Sequence, residues 1–364
     1  MIADFQCSKD EIINMIGKLL YSLSLFIFLG VSIHAQTSNK IKIHTVAFYN
    51  LENLFDTIND PLTFDESSPI MELKTNKEKV YWEKIKNMAE AISQIGKGIN
   101  PNPPSLIGVC EVENKKVLED LILSPPLKEY NYNIVHFDSK DSRGIDVALL
   151  YRQSVFVPKS VKPYEVKLMN ESTGKREYTR DQLWISGLLD DDLIFLNINH
   201  WPSRRGGEIV SQTKRSIAAQ LTKRISDSLF GADPYSKIII MGDFNDNPTD
   251  FGLSKVLGAK FYEEEVKLKS LFNVFGNQYL NGNGTHAYLD SWGMFDQIIL
   301  SAPWLDKTTS GYRYFKGGIF NPTFLVTNEG KYRGYPFRSF GDEGFTGGYS
   351  DHFPVFIYVI KEAD

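Results

Sequence analysis

The sequence predicts an α/β protein in which amphipathic helices cover the faces of β-sheets. Three observations lead to this fold class. Short apolar runs rich in β-branched residues alternate with helical patterns. The composition is 42% hydrophobic, 23% charged and 13% aromatic, which is typical of a globular protein and unlike a disordered or collagen-like chain. Beyond residue 36 we find no repeat, low-complexity tract or obvious linker, so we expect one layered domain.

Seven apolar segments are predicted to be strands, because strands buried on both faces form continuous apolar runs. They are Ile43–Tyr49, Leu106–Cys110, Val147–Tyr151, Leu193–Asn199, Ile238–Met241, Gln297–Leu300 and Pro354–Ile360. Two segments with apolar residues at helical spacing, Trp82–Ile95 and Glu208–Leu229, are predicted to be helices. Two long segments, Asp60–Lys79 and Gly311–Gly348, are expected to be surface loops.

The first 35 residues are predicted to be a secretory signal peptide. Leu19–Ile33 is almost entirely apolar, Lys18 precedes it, and the small residue Ala35 follows it. A start at Met15 would give a better-proportioned signal, and a retained N-terminal anchor is the alternative. The apolar run is shorter than the roughly 20 residues that span a bilayer. We therefore expect a mature domain of residues 36–364 that is secreted or periplasmic and has no transmembrane segment.

The charge and cysteine content limit the classes of partner and of stabilisation. With 40 basic and 45 acidic residues the net charge is −5, which excludes a basic nucleic-acid coat. A polyanionic substrate would have to be held locally, by a few cationic side chains or a bound cation. Removal of Cys7 with the signal peptide leaves Cys110 without a disulfide partner, and we expect Cys110 to be a buried hydrophobic residue.

Polar side chains lie at the ends of the predicted strands. Each of them taken singly is most simply a turn former or a helix cap. Six such clusters, each containing metal-ligand or proton-transfer residue types, instead indicate a functional site at the strand ends. The clusters are Asn50 and Glu52; Glu111 and Glu113; His200; Asp243 and Asn245; Asp296; and Ser350, Asp351 and His352.

This combination of side chains favours one kind of chemistry. Carboxylates with an amide and no thiolate are typical ligands of a hard cation, with Mg²⁺ as the first choice and Mn²⁺ or Ca²⁺ as alternatives. Zinc is disfavoured, because the histidines lack close ligand spacing. The remaining acid, amide and histidines suit hydrolysis of a phosphoester, in which one group deprotonates water and the cation neutralises developing charge.

The chain resembles the endonuclease/exonuclease/phosphatase superfamily from about Ile41 to Ile360. The resemblance is carried by FYNLEN (48–53), GVCEVEN (108–114), RGIDVALLYR (143–152), NINHWPSRRGG (197–207), MGDFNDNP (241–248), FDQIIL (295–300) and SDHFPV (350–355), in the superfamily's order. It implies a four-layer α/β sandwich, in which two central mixed β-sheets are flanked by helices and the active site lies at one edge.

The resemblance also implies a metal site. Glu111 corresponds to the main metal-ligating carboxylate, with Asn50 and Glu52 supporting it from the first motif. Asp351 would approach the metal. Glu52 stands where some branches of the superfamily carry Asp, and its longer side chain would shift the metal slightly.

Five further residues are given catalytic roles by the same resemblance. Asp243 would activate or orient the attacking water, and Asn245 would hold that water or the phosphate of the transition state. His352 would contact the scissile phosphate, with Asp296 orienting its ring and favouring its charged form. His200 would bind phosphate or assist the leaving oxygen.

Four residues near these motifs are candidates for substrate binding. Arg204 and Arg205 follow His200 in a stretch that departs from the better-known branches. They either grip substrate phosphates or are solvated charges before a helix. Arg143 and Asp146 either line the site or pair with each other, and we favour the site.

The favoured function is a secreted, Mg²⁺-dependent phosphodiesterase that hydrolyses nucleic acid by in-line attack of water on phosphate. The alternatives keep the chemistry and change the substrate: a sphingomyelinase-like lipid phosphodiesterase, or a phosphatase of inositol phosphates or other phosphomonoesters. A non-catalytic binding protein is disfavoured, because none of the acidic or histidine positions is missing. No stable protein partner is implied, and we expect a monomer.

Overall fold

The computed structural model describes residues 8–28, 40–170 and 173–363, which divide into two compact units. In the first unit, which ends at Lys40, the chain forms a helix from Lys9 to Phe28. This helix overlaps the apolar run of the predicted signal peptide, while the expected exit residue Ala35 lies outside the described residues. Within the described ranges, no helix combines the length and the apolar character that crossing a membrane requires. The signal peptide therefore stays a prediction.

The second unit, Ile41–Ala363, contains the sheets and the other helices. Numbered along the described chain, the helices are α1 Lys9–Phe28, α2 Pro69–Glu72, α3 Lys77–Gln94, α4 Lys115–Ile122, α5 Glu208–Ala232 and α6 Gly276–Leu280. The strands are β1 Ile41–Leu54, β2 Leu106–Val112, β3 Tyr132–His136, β4 Asp146–Arg152, β5 Phe156–Tyr164, β6 Leu168–Met169, β7 Arg176–Glu177, β8 Gln182–Leu189, β9 Asp192–His200, β10 Ile238–Asp243, β11 Leu271–Asn273, β12 His286–Tyr288, β13 Ser291–Gly293, β14 Asp296–Ser301, β15 Arg313–Ile319, β16 Phe340–Gly341, β17 Gly344–Phe345 and β18 Val355–Glu362.

Two six-stranded mixed sheets form the centre of this unit. The first sheet has the order β15-β18-β1-β2-β4-β3, and the second has the order β11-β14-β10-β9-β8-β5. β1 pairs in parallel with β2, and β9 with β10, whereas the neighbouring pairs are antiparallel. The predicted α/β class and the two mixed sheets are confirmed.

Three hydrophobic cores separate four layers, which are α3 with α4, the first sheet, the second sheet, and α5. The largest lies between the sheets, where Phe48 and Val46 of the first sheet pack with Ile198 and Met241 of the second. A second core joins the outer face of the first sheet to α3 and α4. The third joins the outer face of the second sheet to α5. Because side chains alternate along a strand, each central strand supplies both an inner and an outer core, which is why these strands are apolar throughout.

The seven predicted strands and two predicted helices are present, but both predicted loops contain regular structure. Asp60–Lys79 includes α2 and the start of α3. Gly311–Gly348 includes β15, an edge strand of the first sheet, and the hairpin β16–β17. The alternation of β15 is interrupted by Gly317, where a side chain would meet Val274 and the backbone of Phe356. A strand with that gap lacks the continuous apolar pattern that identified the others.

Candidate active site

Strand direction brings the predicted site residues to one edge of the two facing sheets. β1 and β2 are parallel, so Asn50 and Glu111 lie near ends that point the same way. β9 and β10 are also parallel, and His200 lies opposite Asp243 at their ends. β14 runs antiparallel to β10 and therefore begins at this edge, where Asp296 lies opposite Asp243. The strand ends thus deliver side chains from both sheets to a single place.

At this edge, polar side chains make the contact between the two sheets. The amide Nδ2 of Asn50 donates to Oδ2 of Asp243 at 3.1 Å. Nε2 of His200 lies 3.8 Å from Oε1 of Glu111 and 3.7 Å from Oδ2 of Asp243. The other oxygen of Glu111 accepts the backbone N–H of Asn53. Glu111, His200, Asp243 and Asn50 therefore form one connected group.

Asp243 and His200 are buried, and burial sets their charge. Burial, and next to it the neighbouring carboxylates Asp296 and Glu111, raise the pKa of Asp243 to about 7, against the pull of His352. Burial together with the positive charges of Arg180 and Arg143 lowers the pKa of His200 well below its usual range. At neutral pH, Asp243 is poised to exchange a proton and His200 is neutral.

His352 precedes the last strand of the first sheet and pairs with the second sheet. Its Nδ1 lies 2.6 Å from Oδ2 of Asp296, which is completely buried. Although burial alone would lower the pKa of His352, Asp296 raises it well above its usual range. The ring of His286 packs on His352 at 4.7 Å, and burial lowers the pKa of His286 to about 4. The site therefore holds a charged histidine next to a neutral one.

Glu52 occupies the far side of the group. Its carboxylate accepts the backbone N–H of Ser339 at 2.6 Å and lies 3.2 Å from Nε of Arg338, and the same arginine lies 3.6 Å from Asp351. Burial, and next to it Asp351, raise the pKa of Glu52 to about 7. Beneath Glu52, the ammonium of Lys84 donates to its backbone carbonyl and to the hydroxyl of Ser339. Both carboxylate oxygens of this predicted metal ligand are thus already occupied.

Three site residues adopt a backbone conformation that is unfavourable for side chains other than glycine. Glu52, Glu111 and Asn245 have φ angles of 46°, 58° and 49°. Such conformations cost on the order of 1–3 kcal/mol each and persist where the surrounding structure imposes them. Their concentration at the strand ends is typical of a functional site.

The donor set fits a divalent cation. One ligand atom from each of Asp243, Asp296 and His352 lies within 4.8 Å of the others, as is also true of His286, Asp351 and His352, but in its charged form His352 has no lone pair for a metal, so the carboxylates are the donors. Oδ1 of Asp296 is buried without a hydrogen-bond partner. Burial and the neighbouring carboxylates raise the pKa values of Glu52 and Asp243 to about 7, so these acids are incompletely ionised at neutral pH. A bound cation would favour their ionised, metal-binding forms.

The four predicted substrate-binding residues differ in their surroundings. Arg204 is fully engaged: it donates to the carbonyl of Asn245, to Glu208 at 2.8 Å and to Asp250 at 2.5 Å. Arg205 is exposed and lines two cavities beside the site. These contacts tie Arg204 to the protein rather than to solvent, and Arg205 is exposed at the side of the site.

Arg143 and Asp146 do not pair with each other. Arg143 lies 3.6 Å from Asp141 and lines a cavity next to the site. Asp146 accepts the backbone N–H of Ser139 at 2.8 Å and lies 3.3 Å from His136. The expectation that Asp146 lines the site is thus not supported by its contacts, because the β3–β4 connection directs its carboxylate to His136.

Three cavities lie along the site and share lining residues. A cavity of about 410 Å³ is lined by Asn245, Arg205 and His286. Arg205 also lines a polar cavity of about 260 Å³, together with Arg143, Arg180 and Lys214. His286 also lines a cavity of about 250 Å³, most of whose lining is apolar, and Asp351 lies at its side. The site therefore lies within an extended groove that is cationic at one end and aromatic at the other.

Three cationic residues of the site were not predicted from the sequence. Lys84 lies on the buried face of α3 with Ile85 and Met88, and a lysine in that apolar stripe was a signal that could have been used. Arg180 pairs with Asp141 at 3.1 Å and donates to the carbonyl of Trp201. Arg180 and Arg338 lie in irregular segments, where no periodicity indicates which way a side chain points.

Comparison with known proteins gives one family. The profile described as the Endonuclease/Exonuclease/phosphatase family matches residues 45–361. A comparison with curated proteins finds no match.

Several solved structures share the fold. An endonuclease/exonuclease/phosphatase family protein from Bacteroides thetaiotaomicron has 16% identity and a TM-score of 0.53, covering 89% of this chain and 100% of its own. D. rerio TDP2 complexed with a single-strand DNA product has 13% identity and a TM-score of 0.52, covering 87% and 99%. A mannosyl-6-phosphatase of Bacteroides thetaiotaomicron VPI-5482 has 16% identity and a TM-score of 0.51, covering 87% and 99%. At these identities the likeness establishes the fold alone.

Proposed function

The chain belongs to the endonuclease/exonuclease/phosphatase family, a family of phosphoester hydrolases, and from this premise we propose that it is a divalent-metal-dependent phosphodiesterase acting on nucleic acid. The observation that carries the choice of substrate is the extended groove. A nucleic-acid strand presents successive phosphates and bases, and the groove offers cations at one end and tyrosines at the other. A compact phosphomonoester would fill only its centre.

In this proposal Asp243 accepts the proton of the attacking water. Its two oxygens are held by Nδ2 of Asn50 at 3.1 Å and by the backbone N–H of Asn245 at 2.9 Å. A carboxylate whose pKa lies at about 7 is matched to proton transfer near neutral pH. The side chain of Asn245 donates to the carbonyl of Trp201, which fixes the turn that follows Asp243.

The two histidines contact the phosphate in different states. His352 is charged because of Asp296, so it donates to a phosphate oxygen and stabilises negative charge there. His200 is neutral, its Nε2 lies 3.8 Å from Glu111 and 3.7 Å from Asp243, and from there it offers a hydrogen bond to the substrate. At the cationic end of the groove, Arg143 and Arg205 bind the neighbouring phosphates.

The cation is proposed to be held by Glu111 and Asp351, with Asn50 and Glu52 behind them. When bound, Mg²⁺ or Mn²⁺ neutralises charge that develops on the phosphate oxygens. Glu111 and Asp351 are the members of this set whose carboxylates retain some exposure. Glu52 contributes negative charge from beneath, since Ser339 and Arg338 occupy its oxygens.

A phosphomonoesterase is the second candidate, because a terminal phosphate dianion would also bind beside Arg143 and Arg205. A lipid phosphodiesterase is the third, supported by the apolar lining of the aromatic cavity. The three are separated by initial rates of the purified domain on single-stranded DNA, RNA, a sugar or inositol phosphate and sphingomyelin, each with Mg²⁺, Mn²⁺ or EDTA. The proposal predicts the fastest turnover on nucleic acid. It is wrong if a phosphomonoester or sphingomyelin is preferred.

We also propose that residues 1–35 are removed on secretion. The support is the order of charged, apolar and small residues in that segment. The mass of the protein recovered from the periplasm or medium should match a chain that begins near Gln36. Recovery of the intact chain in the cytosol would contradict this proposal.

A further inference from the structure

The carboxylate of Asp146 lies at the base of the loop that joins β3 to β4. The two strands pair antiparallel with His136 opposite Ala148, so the chain enters β4 beside the end of β3. Oδ1 of Asp146 accepts the backbone N–H of Ser139, which closes the loop. Oδ2 is left facing Nε2 of His136 at 3.3 Å. One oxygen of Asp146 therefore holds the loop, and the other is available to a ligand.

His136 is a buried histidine whose ring nitrogen is not satisfied. Its side chain is only 3% exposed, and its Nε2 is buried with no hydrogen-bond partner. Asp138 lies next to the same ring, with its Oδ1 3.8 Å from Nδ1. A buried polar atom without a partner costs free energy, and such an atom calls for an explanation such as a bound ion.

The spacing of these atoms suits a metal ion. One ligand atom from each of His136, Asp138 and Asp146 lies within 4.8 Å of the others. Two ligands that each bind a tetrahedral Zn²⁺ at about 2.0–2.1 Å are separated by about 3.3–3.4 Å. The 3.3 Å between Nε2 of His136 and Oδ2 of Asp146 equals that separation.

A second carboxylate lies beside Asp146. Asp146 and Asp181 line one cavity of about 10 Å³, which is close to the volume of a single water molecule or ion. Two carboxylates that line so small a cavity repel each other when both are ionised. A divalent cation next to Asp146 would relieve this repulsion.

We propose that His136, Asp138 and Asp146 form a second divalent-metal site, separate from the catalytic group, of the mixed nitrogen and oxygen class that Zn²⁺ occupies. An imidazole with carboxylates is a common Zn²⁺ donor set, and three protein ligands leave one position for water. The site lies outside the groove and takes no part in the hydrolytic step.

Metal at this site would act on the loop of residues 137–145. That loop carries Asp141, which pairs with Arg180 at 3.1 Å and lies 3.6 Å from Arg143. Fixing the base of the loop thus fixes the cationic end of the groove. We expect loss of the metal to raise KM for a polyanionic substrate several-fold and to leave kcat nearly unchanged.

The test counts Zn²⁺ ions in a tag-free background that cannot bind metal at the catalytic group. Glu111→Gln with His352→Gln provides this background, because His352 belongs to both of the other groups of described residues whose ligand atoms lie this close. Isothermal titration with ZnCl₂ should give one site in this double variant. Adding His136→Ala should abolish the site or weaken it at least tenfold. Zn²⁺ should raise the melting temperature of the double variant and not that of the triple variant.

His44 supplies the matched control. Its Nε2 also lies 3.3 Å from an aspartate, Asp190, but both of its ring nitrogens have hydrogen-bond partners. His44→Asn in the double variant should therefore leave Zn²⁺ binding intact. If His136→Ala does not fold, Asp138→Asn replaces it, since Asp138 is 84% exposed, and it must weaken binding. No Zn²⁺ site in the double variant, or a site that survives both substitutions, would overturn the proposal.

Discussion

The ion pair between Asp296 and His352 gives the sharpest prediction about the catalytic group. Asp296 is completely buried, and its Oδ2 lies 2.6 Å from Nδ1 of His352. At that distance and an effective dielectric constant of about 20, the attraction between the charges is about 6 kcal/mol. The substitution Asp296→Asn keeps the shape and removes the charge. The pKa of His352 should then fall, because the burial that lowers it is no longer opposed by the charge of Asp296.

The loss of activity should depend on pH. At alkaline pH the variant ring is neutral and cannot stabilise the phosphate, so kcat/KM should fall by about 10²–10⁴-fold relative to the unmodified chain. As the pH is lowered, more of the variant ring is protonated, and the ratio between the two proteins should shrink. The assay is steady-state hydrolysis of an oligonucleotide or of bis-p-nitrophenyl phosphate at saturating Mg²⁺. Asp190→Asn, in the His44–Asp190 pair, is the control and should leave the pH profile unchanged.

Stability gives a second readout of the same substitution. A histidine whose pKa is raised by folding stabilises the protein fully below its unfolded pKa of about 6.5, and this contribution is lost as pH rises through the folded value. Asp296→Asn should therefore lower the free energy of unfolding most strongly below about pH 6.5, by up to about 3–5 kcal/mol in urea denaturation. A loss of activity that is the same at every pH, or one smaller than about tenfold, would refute the reasoning.

Three further substitutions test other parts of the group. Asp243→Asn should abolish hydrolysis. In EDTA above about pH 7, however, the same substitution should raise the free energy of unfolding by a few kcal/mol, measured by urea denaturation. The reason is that a buried carboxylate with a raised pKa destabilises the fold when it ionises. Arg205→Gln should raise KM for DNA and, across a series of salt concentrations, reduce the slope of log(kcat/KM) against log salt concentration by about 1. An unchanged slope would mean that Arg205 does not contact a phosphate. Arg338→Gln leaves Glu52 and Asp351 without their shared cation, so the Mg²⁺ concentration for half-maximal activity should fall several-fold, and a rise would mean that Arg338 assists metal binding.

Much of the fold could be predicted because buried central strands are apolar on both faces. Such strands are identified by composition alone, and the direction of a parallel pair follows from the long connection between its strands. This places Asn50 with Glu111, and His200 with Asp243, at one edge. The edge strand β15 could not be found in this way, because Gly317 and the partly exposed faces of β15 interrupt its pattern.

The details of the site depend on side-chain direction, which single residues do not encode. Glu52 and Asp351 share Arg338, a residue 286 positions beyond Glu52 in a segment without periodicity. Asp146 lies in the motif that also contains Arg143, but the register of the β3–β4 hairpin directs its carboxylate to His136. Lys84 could have been predicted from the sequence, because a lysine within the apolar stripe of a helix indicates a buried charge that needs partners.

The central claim is that the strand-end residues form one metal-dependent centre for phosphoester hydrolysis. It is tested most directly by kcat/KM of the purified domain and of Glu111→Ala on a phosphodiester, each in EDTA and across a Mg²⁺ titration. We predict no turnover in EDTA, full recovery on adding Mg²⁺ or Mn²⁺, and at saturating metal a loss of more than about a thousandfold in Glu111→Ala. Hydrolysis that persists in EDTA, or a Glu111→Ala variant as active as the unmodified chain, would contradict the claim.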